Sequence, residues 1–236
     1  MSEPPAGTAG AAWRRGLRDA LGLPCVVLTA SMMGFGSLAR DSGLGLGMAL
    51  AASAGVWGLP GQVAMAELYA AGAGALTVVL AASLANARFL PMTVSFMPHL
   101  RGAVSRRAMF GLAQLISVNS WTAGLRAFPG LAPAQRAPYF CAFALAIMAA
   151  GLAGTALGYW AVDRLARPLT LGLIYLNPAY FALLFAGTRG RLGIGALLLG
   201  ALAGPLFHRL SPDWGLLATG LVAGSAAFVL GRGWRQ

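Results

Sequence analysis

A chain of 236 residues that is 58% hydrophobic and only 10% charged is far from the roughly 25% charged residues of a soluble domain. Its net charge of +11 comes from 17 basic residues, all arginine, which recur singly or in pairs between apolar runs. That is the pattern of membrane loops and not of a nucleic-acid-binding face.

Composition therefore predicts an all-α, polytopic integral membrane protein of about six to eight membrane helices. The 33 glycines suit helices that pack closely through small residues. Residues 1–13, rich in Pro, Gly and Ala, are expected to lack order, and 14–236 to form a single transmembrane domain. Arg14, Arg15 and Arg18 flank a first predicted helix over 17–38, which Arg40 and Asp41 close. No small-residue cleavage site ends it, so it reads as a membrane helix and not as a signal peptide.

The next stretch departs from a uniform membrane helix. Residues 42–58 are apolar but Gly-rich and end at Leu59-Pro60-Gly61, and a second short element over 61–72 carries Gln62 and Glu67. Each is shorter than the ~20 residues needed to cross a bilayer. A broken or re-entrant element near 43–72 is expected, with Gly58, Pro60 and Gly61 at its tip. Interrupted short segments of this kind mark transporter binding sites. Residues 74–97 read as one long helix holding Asn86 and Arg88, with a kink at Pro91. The loop 98–107 is the densest in arginine (Arg101, Arg106, Arg107) and is predicted to be cytoplasmic together with the N-terminus.

Further apolar runs cover 108–124, 139–161, 168–187, 192–207 and 214–230. The run 168–187 either crosses fully or breaks at Asn177-Pro178 and returns. The second option satisfies the positive-inside rule better and favours a cytoplasmic C-terminus. Trp57, Tyr159, Trp160 and Trp214, near the ends of runs, read as interfacial anchors. Gly154 and Gly158 form a GxxxG packing face.

Four residues could carry chemistry. Glu67 is the acidic residue deepest inside an apolar region, where a carboxylate is usually paired or functional. It could handle substrate or a coupling proton, pair with Arg88, or be solvated near a surface. Arg88, about 15 Å from the helix end at Pro98 counted at ~1.5 Å per residue, could bind a substrate carboxylate or snorkel. Asn86 offers an uncharged donor and acceptor. Gln62 follows Pro60-Gly61, where a half-helix N-terminus favours an anion. Cys25, Cys141, His99 and His208 show no metal-ligand spacing, and no cofactor or enzyme constellation is found.

"GFGSLARDSGLGLG" (34–47), then Ser53 and Gln62 nine apart, then "LYAAGAGALTVVLAASLANARFLPMTVSFMPHLR" (68–101) resemble the AzlC family of branched-chain amino acid exporters. The most specific element is Asn86-Ala87-Arg88, and the likeness extends over about 15–180. It implies an inner-membrane exporter, often with a small four-helix AzlD-like subunit as partner, and supports Gln62 and Arg88 as site residues. Two departures stand out: the family's run before Gln62 reads Gly58-Leu59-Pro60-Gly61, and the His commonly after the "NAR" element is Phe89. Glu67 is not carried over from the family pattern.

The expected function is a secondary transporter, with proton antiport as its coupling. The substrate carboxylate would face a helix N-terminus or Arg88, and its ammonium group Glu67. A channel or transporter for another small metabolite, or a membrane subunit that scaffolds a partner, are the alternatives.

Overall fold

The computed structural model describes residues 8–102, 104–161, 166–186, 191–210 and 215–232, and twelve α-helices among them. No strand occurs among the described residues, as the composition predicts. The axis of the bundle is α9 (Pro133–Trp160), whose 28 residues make a rod of about 42 Å. Helices α1 (Ala9–Ala20) and α2 (Leu23–Asp41) run parallel to it. Gly16 lies against Tyr139 and Phe143, Met33 against Gly158, and Gly36 against Thr155 and Tyr159. Thr29 Oγ1 donates to the carbonyl of Ala150 at 3.5 Å, and Arg40 Nη1 to that of Tyr159 at 3.1 Å. A Cβ on Gly154 or Gly158 would run into the α2 backbone at Thr29 or Met33, so the GxxxG face sets the approach of these two helices.

The predicted helix 17–38 is thus two helices. Gly22 caps α2 and Pro24 sits in its first turn, where proline is tolerated but cannot continue a helix from upstream. α1 begins at Ala9, inside the stretch expected to lack order. Thr8 Oγ1 accepts from Ala11 N–H, and the helix buries Ala12, Gly16 and Ala20 against α9.

Two hairpins enter this frame from opposite ends. α3 (Leu46–Gly55) and α4 (Leu59–Ala70) start and finish at the α9 C-terminal end. Gly43, ahead of α3, lies beside the ring of Tyr69 near the end of α4, and Ser53 and Gln62 face each other across the pair. This is the re-entrant element expected near 43–72. The chain then crosses in α5 (Ala75–Ala85) and α6 (Phe89–Phe96), which form one span bent by 48°. Its bend falls at Asn86–Arg88, one turn before the expected Pro91. Proline cannot donate to the carbonyl one turn back, at Ala87, so the ladder fails there and Pro91 sits in the first turn of α6.

Phe96 ends the span at the opposite end of the bundle, where its ring packs 5.1 Å from that of Phe128 and 4.9 Å from that of Phe140. From there α7 (Arg106–Gln114) and α8 (Val118–Ala127) make the second hairpin. α7 leaves beside the short 3-10 turn Met97–Leu100, and α8 returns to Phe128. The apolar run 108–124 is therefore not the single element it resembles. Ser117 and Ser120 form a capping box that starts a new helix at Val118.

Because the second hairpin returns, α9 runs parallel to α2, and α10 (Arg167–Ala186) brings the chain back unbroken, with Pro178 inside it. Ser37 and Thr170 hydroxyls meet at 3.1 Å, and Gly34 abuts Ile174, so α10 is antiparallel to α2. This overturns a break at Asn177-Pro178. α11 (Arg191–Leu210) and α12 (Gly215–Arg232) pack on each other. Leu23–Asp41 and Pro133–Trp160 are each long and apolar enough to cross a membrane, and the bent α5–α6 pair adds a third span. Asp163, Arg164, Arg189, Asp213, Trp214 and Arg235 lie outside the described residues.

Candidate functional site where three helix breaks meet

Three breaks fall at one place: Val56–Gly58 between α3 and α4, Asn86–Arg88 between α5 and α6, and Leu115–Ser117 between α7 and α8. Trp57, Gly58, Arg88, Phe89, Ser117 and Asn119 help to line a cavity of about 30 Å³ there. The site is irregular backbone that lines a cavity, a condition under which such backbone is tolerated inside a membrane. The tips are tied together: Gln114 Nε2, at the end of α7, donates to the carbonyls of Ala54 and Gly55 at the end of α3.

The tip residues Gly58, Pro60 and Gly61 have distinct places. Gly58 is the N-cap of α4, Pro60 lies in its first turn, and Gly61 follows one residue later. A Cβ on Gly58 would collide with Asn86 Oδ1, and one on Gly61 with Asn86 Nδ2. The Asn86 amide is thus wedged against the first turn of α4, and its Oδ1 is buried with no hydrogen-bond partner.

Gln62 is fully buried and faces across the hairpin. Its Nε2 donates to Ser53 Oγ at 3.0 Å, Ser53 Oγ lies 2.8 Å from Thr155 Oγ1, and Thr155 Oγ1 donates to the Gly151 carbonyl at 3.1 Å. Each hydroxyl has one proton. Thr155 gives its proton to Gly151, so Ser53 gives its own to Thr155 and can only accept from Gln62. The chain leaves Gln62 Oε1 without a donor. Gln62 therefore anchors the hairpin to α9.

Arg88 and Glu67 share a second cavity of about 320 Å³, lined otherwise by apolar groups including Val63, Ile174 and Pro178 and by Tyr175. Both side chains are exposed, and no ion pair joins them; among the described residues Arg15–Asp19 is such a pair, at 3.9 Å. The guanidinium of Arg88 stands 5.6 Å from the ring centroid of Phe89. Leu59 and Arg88 line both this cavity and the smaller one. A third cavity of about 250 Å³ reaches the α9 N-terminal end, where Arg15, Asp19, Arg126 and Tyr139 line it, and it shares Asn119 with the small cavity. The three cavities thus follow one another from end to end of the helix frame.

Its place at the end of an apolar run predicts an interfacial Trp57. The structure instead buries it to 5% exposure at the hairpin tip. Gln114, Ser117 and Asn119 join the site only in the structure, although the polar run "SVNS" at 117–120 inside an apolar stretch is a usable signal. Cys25 and Cys141 are free and half-buried.

A family model described as AzlC protein matches residues 24–165, more than half of the chain. The chain belongs to the AzlC family. All three helix breaks lie within the matched segment, as do Gln62, Glu67, Asn86 and Arg88. No curated protein and no solved structure matches the chain. Membership makes this a membrane protein of a transporter-associated family, related to branched-chain amino acid transport.

Proposed function

We propose that this AzlC protein is a secondary transporter that exports valine, leucine, isoleucine or a similar small hydrophobic amino acid, such as methionine, across the inner membrane by proton antiport. The observation that carries this reading is the meeting of three helix breaks at a cavity bearing Arg88, which shares Leu59 and Arg88 with a larger apolar cavity bearing Glu67. Broken helices at a central site are the architecture of alternating access. A zwitterion with a branched side chain matches a cation, a carboxylate and an apolar wall. Arg88 and Glu67 are the groups in contact with substrate; Gln62 and Asn86 hold the hairpin and the bent span in place around it. Glu67 carries the coupling proton.

Arg14, Arg15, Arg18, Arg101, Arg106, Arg107 and Arg136 all belong to segments at the α9 N-terminal end, and the positive-inside rule supports this end as cytoplasmic. A small AzlD-like four-helix subunit is the proposed partner, on the family resemblance. The test is flux of labelled valine from proteoliposomes holding the chain with that subunit, under an imposed pH gradient. Saturable efflux that follows the gradient, with the gradient dependence lost in Glu67→Gln, is expected. Gradient-dependent efflux unchanged in Glu67→Gln would remove the carboxylate from coupling, and the absence of saturable amino acid flux would overturn the transport reading.

A further inference from the structure

Trp57 joins the two halves of the first hairpin with a φ of 46°, a left-handed conformation that is a genuine outlier for a bulky residue. Strain of this kind persists where the surroundings impose it, and it clusters at ligand sites. The glycine that would relieve it is the next residue, so the chain places a large side chain at the strained position. The six-membered edge of the indole presses on α9: a Cβ on Gly151 would stand 3.0 Å from Cζ3 and 3.2 Å from Cη2. The N–H edge, on the other side of the ring, therefore turns away from α9. Trp57 lines the small cavity, and its Nε1 is buried with no acceptor. A donor buried to this degree normally has a partner.

Several other groups that line this cavity favour an anion. The α4 N-terminus has no side-chain cap, so its first N–H groups carry the positive end of a helix dipole. The first turn of α8 reaches the same cavity through Val118 and Asn119, and Arg88 adds a full charge; no acidic residue is among the lining groups. About 30 Å³ holds a group of one or two oxygens.

We infer that this cavity binds the carboxylate of the transported solute, with the Trp57 indole N–H, the first turns of α4 and α8, and Arg88 as its donors. The inference rests on the reading of the protein as an amino acid transporter. It fixes the pose: carboxylate at the hairpin tips, apolar side chain in the larger cavity beside Val63 and Ile174.

The experiment is NMR of the full chain, labelled with ¹⁵N at tryptophan indoles and held in lipid nanodiscs. The Trp57 signal is identified by its loss in Trp57→Phe. L-Leucine, 4-methylpentanoate (no ammonium group) and 3-methylbutylamine (no carboxylate) are titrated separately. Leucine and 4-methylpentanoate should move the Trp57 N–H signal and the amine should not, and Trp57→Phe should weaken leucine binding roughly tenfold or more. Movement with 4-methylpentanoate alone would keep the carboxylate site and overturn the amino acid reading. A Trp57 signal that moves with the amine and not with the acids, or stays still in all three titrations, would overturn the inference.

Discussion

Gln114 Nε2 donates to the carbonyl oxygens of both Ala54 and Gly55, at 3.0 and 2.8 Å. Those carbonyls belong to the last turn of α3, where no intrahelical donor remains. One side chain thus fastens the tip of the second hairpin to the tip of the first, although the hairpins enter from opposite ends of the bundle. On the proposed transport reading, alternating access through the three cavities requires the tips to part.

Replacing Gln114 by Ala should free the tips without disturbing either hairpin's own packing. Two bonds worth about 1–2 kcal/mol together correspond to roughly 5- to 30-fold faster hydrogen exchange across residues 50–60, with little change in the unfolding midpoint. Exchange at the wild-type rate would show that the fastening is not what holds the tips.

Gly58→Ala tests the wedge of Asn86 against α4. Gly58 has φ −147° and ψ 109°, which any residue can adopt, so the cost arises from space and not from backbone conformation. Overpacking should destabilise by about 1–3 kcal/mol in thermal unfolding of the purified protein. Adding Asn86→Ala should recover part of that loss, because the collision with the amide is removed. Losses that simply add in the double variant would contradict the contact.

Thr155 is the step through which Ser53 and Gln62 reach α9. Thr155→Val keeps the shape and leaves the buried Ser53 hydroxyl without its acceptor. A destabilisation of about 1–2 kcal/mol is expected, with Thr155→Ser close to wild type. Equal midpoints for the Val and Ser variants would rule out the relay as an anchor.

Particular residues explain what the sequence made legible. Ser53 and Gln62 flank a Gly-Leu-Pro-Gly break in a segment too short to cross twice, so length and breaker chemistry give the first hairpin. Asn86 and Arg88 stand out as polar groups in an apolar run. The second hairpin was hidden because 108–124 has nearly continuous hydropathy, and its break rests on the Ser117–Ser120 capping box, a local bond and not a breaker residue. Without that turn the 139–161 helix runs the opposite way, and a break at Asn177-Pro178 becomes attractive as the means of returning the following arginines to the cytoplasmic side. Trp57 reads as an interfacial anchor because an aromatic residue at a run end usually is one. Only the fold of the hairpin shows that this end lies at the centre of the bundle. The relation of Glu67 to Arg88 is likewise tertiary: α4 and the bent α5–α6 span bring both to one cavity without an ion pair.

The central claim is that branched-chain amino acids are carried past Arg88 where the helix breaks meet. Counterflow of labelled L-leucine in proteoliposomes, with the chain reconstituted beside its proposed small subunit, tests it most directly. Wild type should accumulate label saturably, in competition with valine and isoleucine. Arg88→Gln should lower the rate at least about tenfold, by the loss of a charge-assisted bond, in a protein that still purifies folded. Wild-type counterflow in Arg88→Gln would contradict the account.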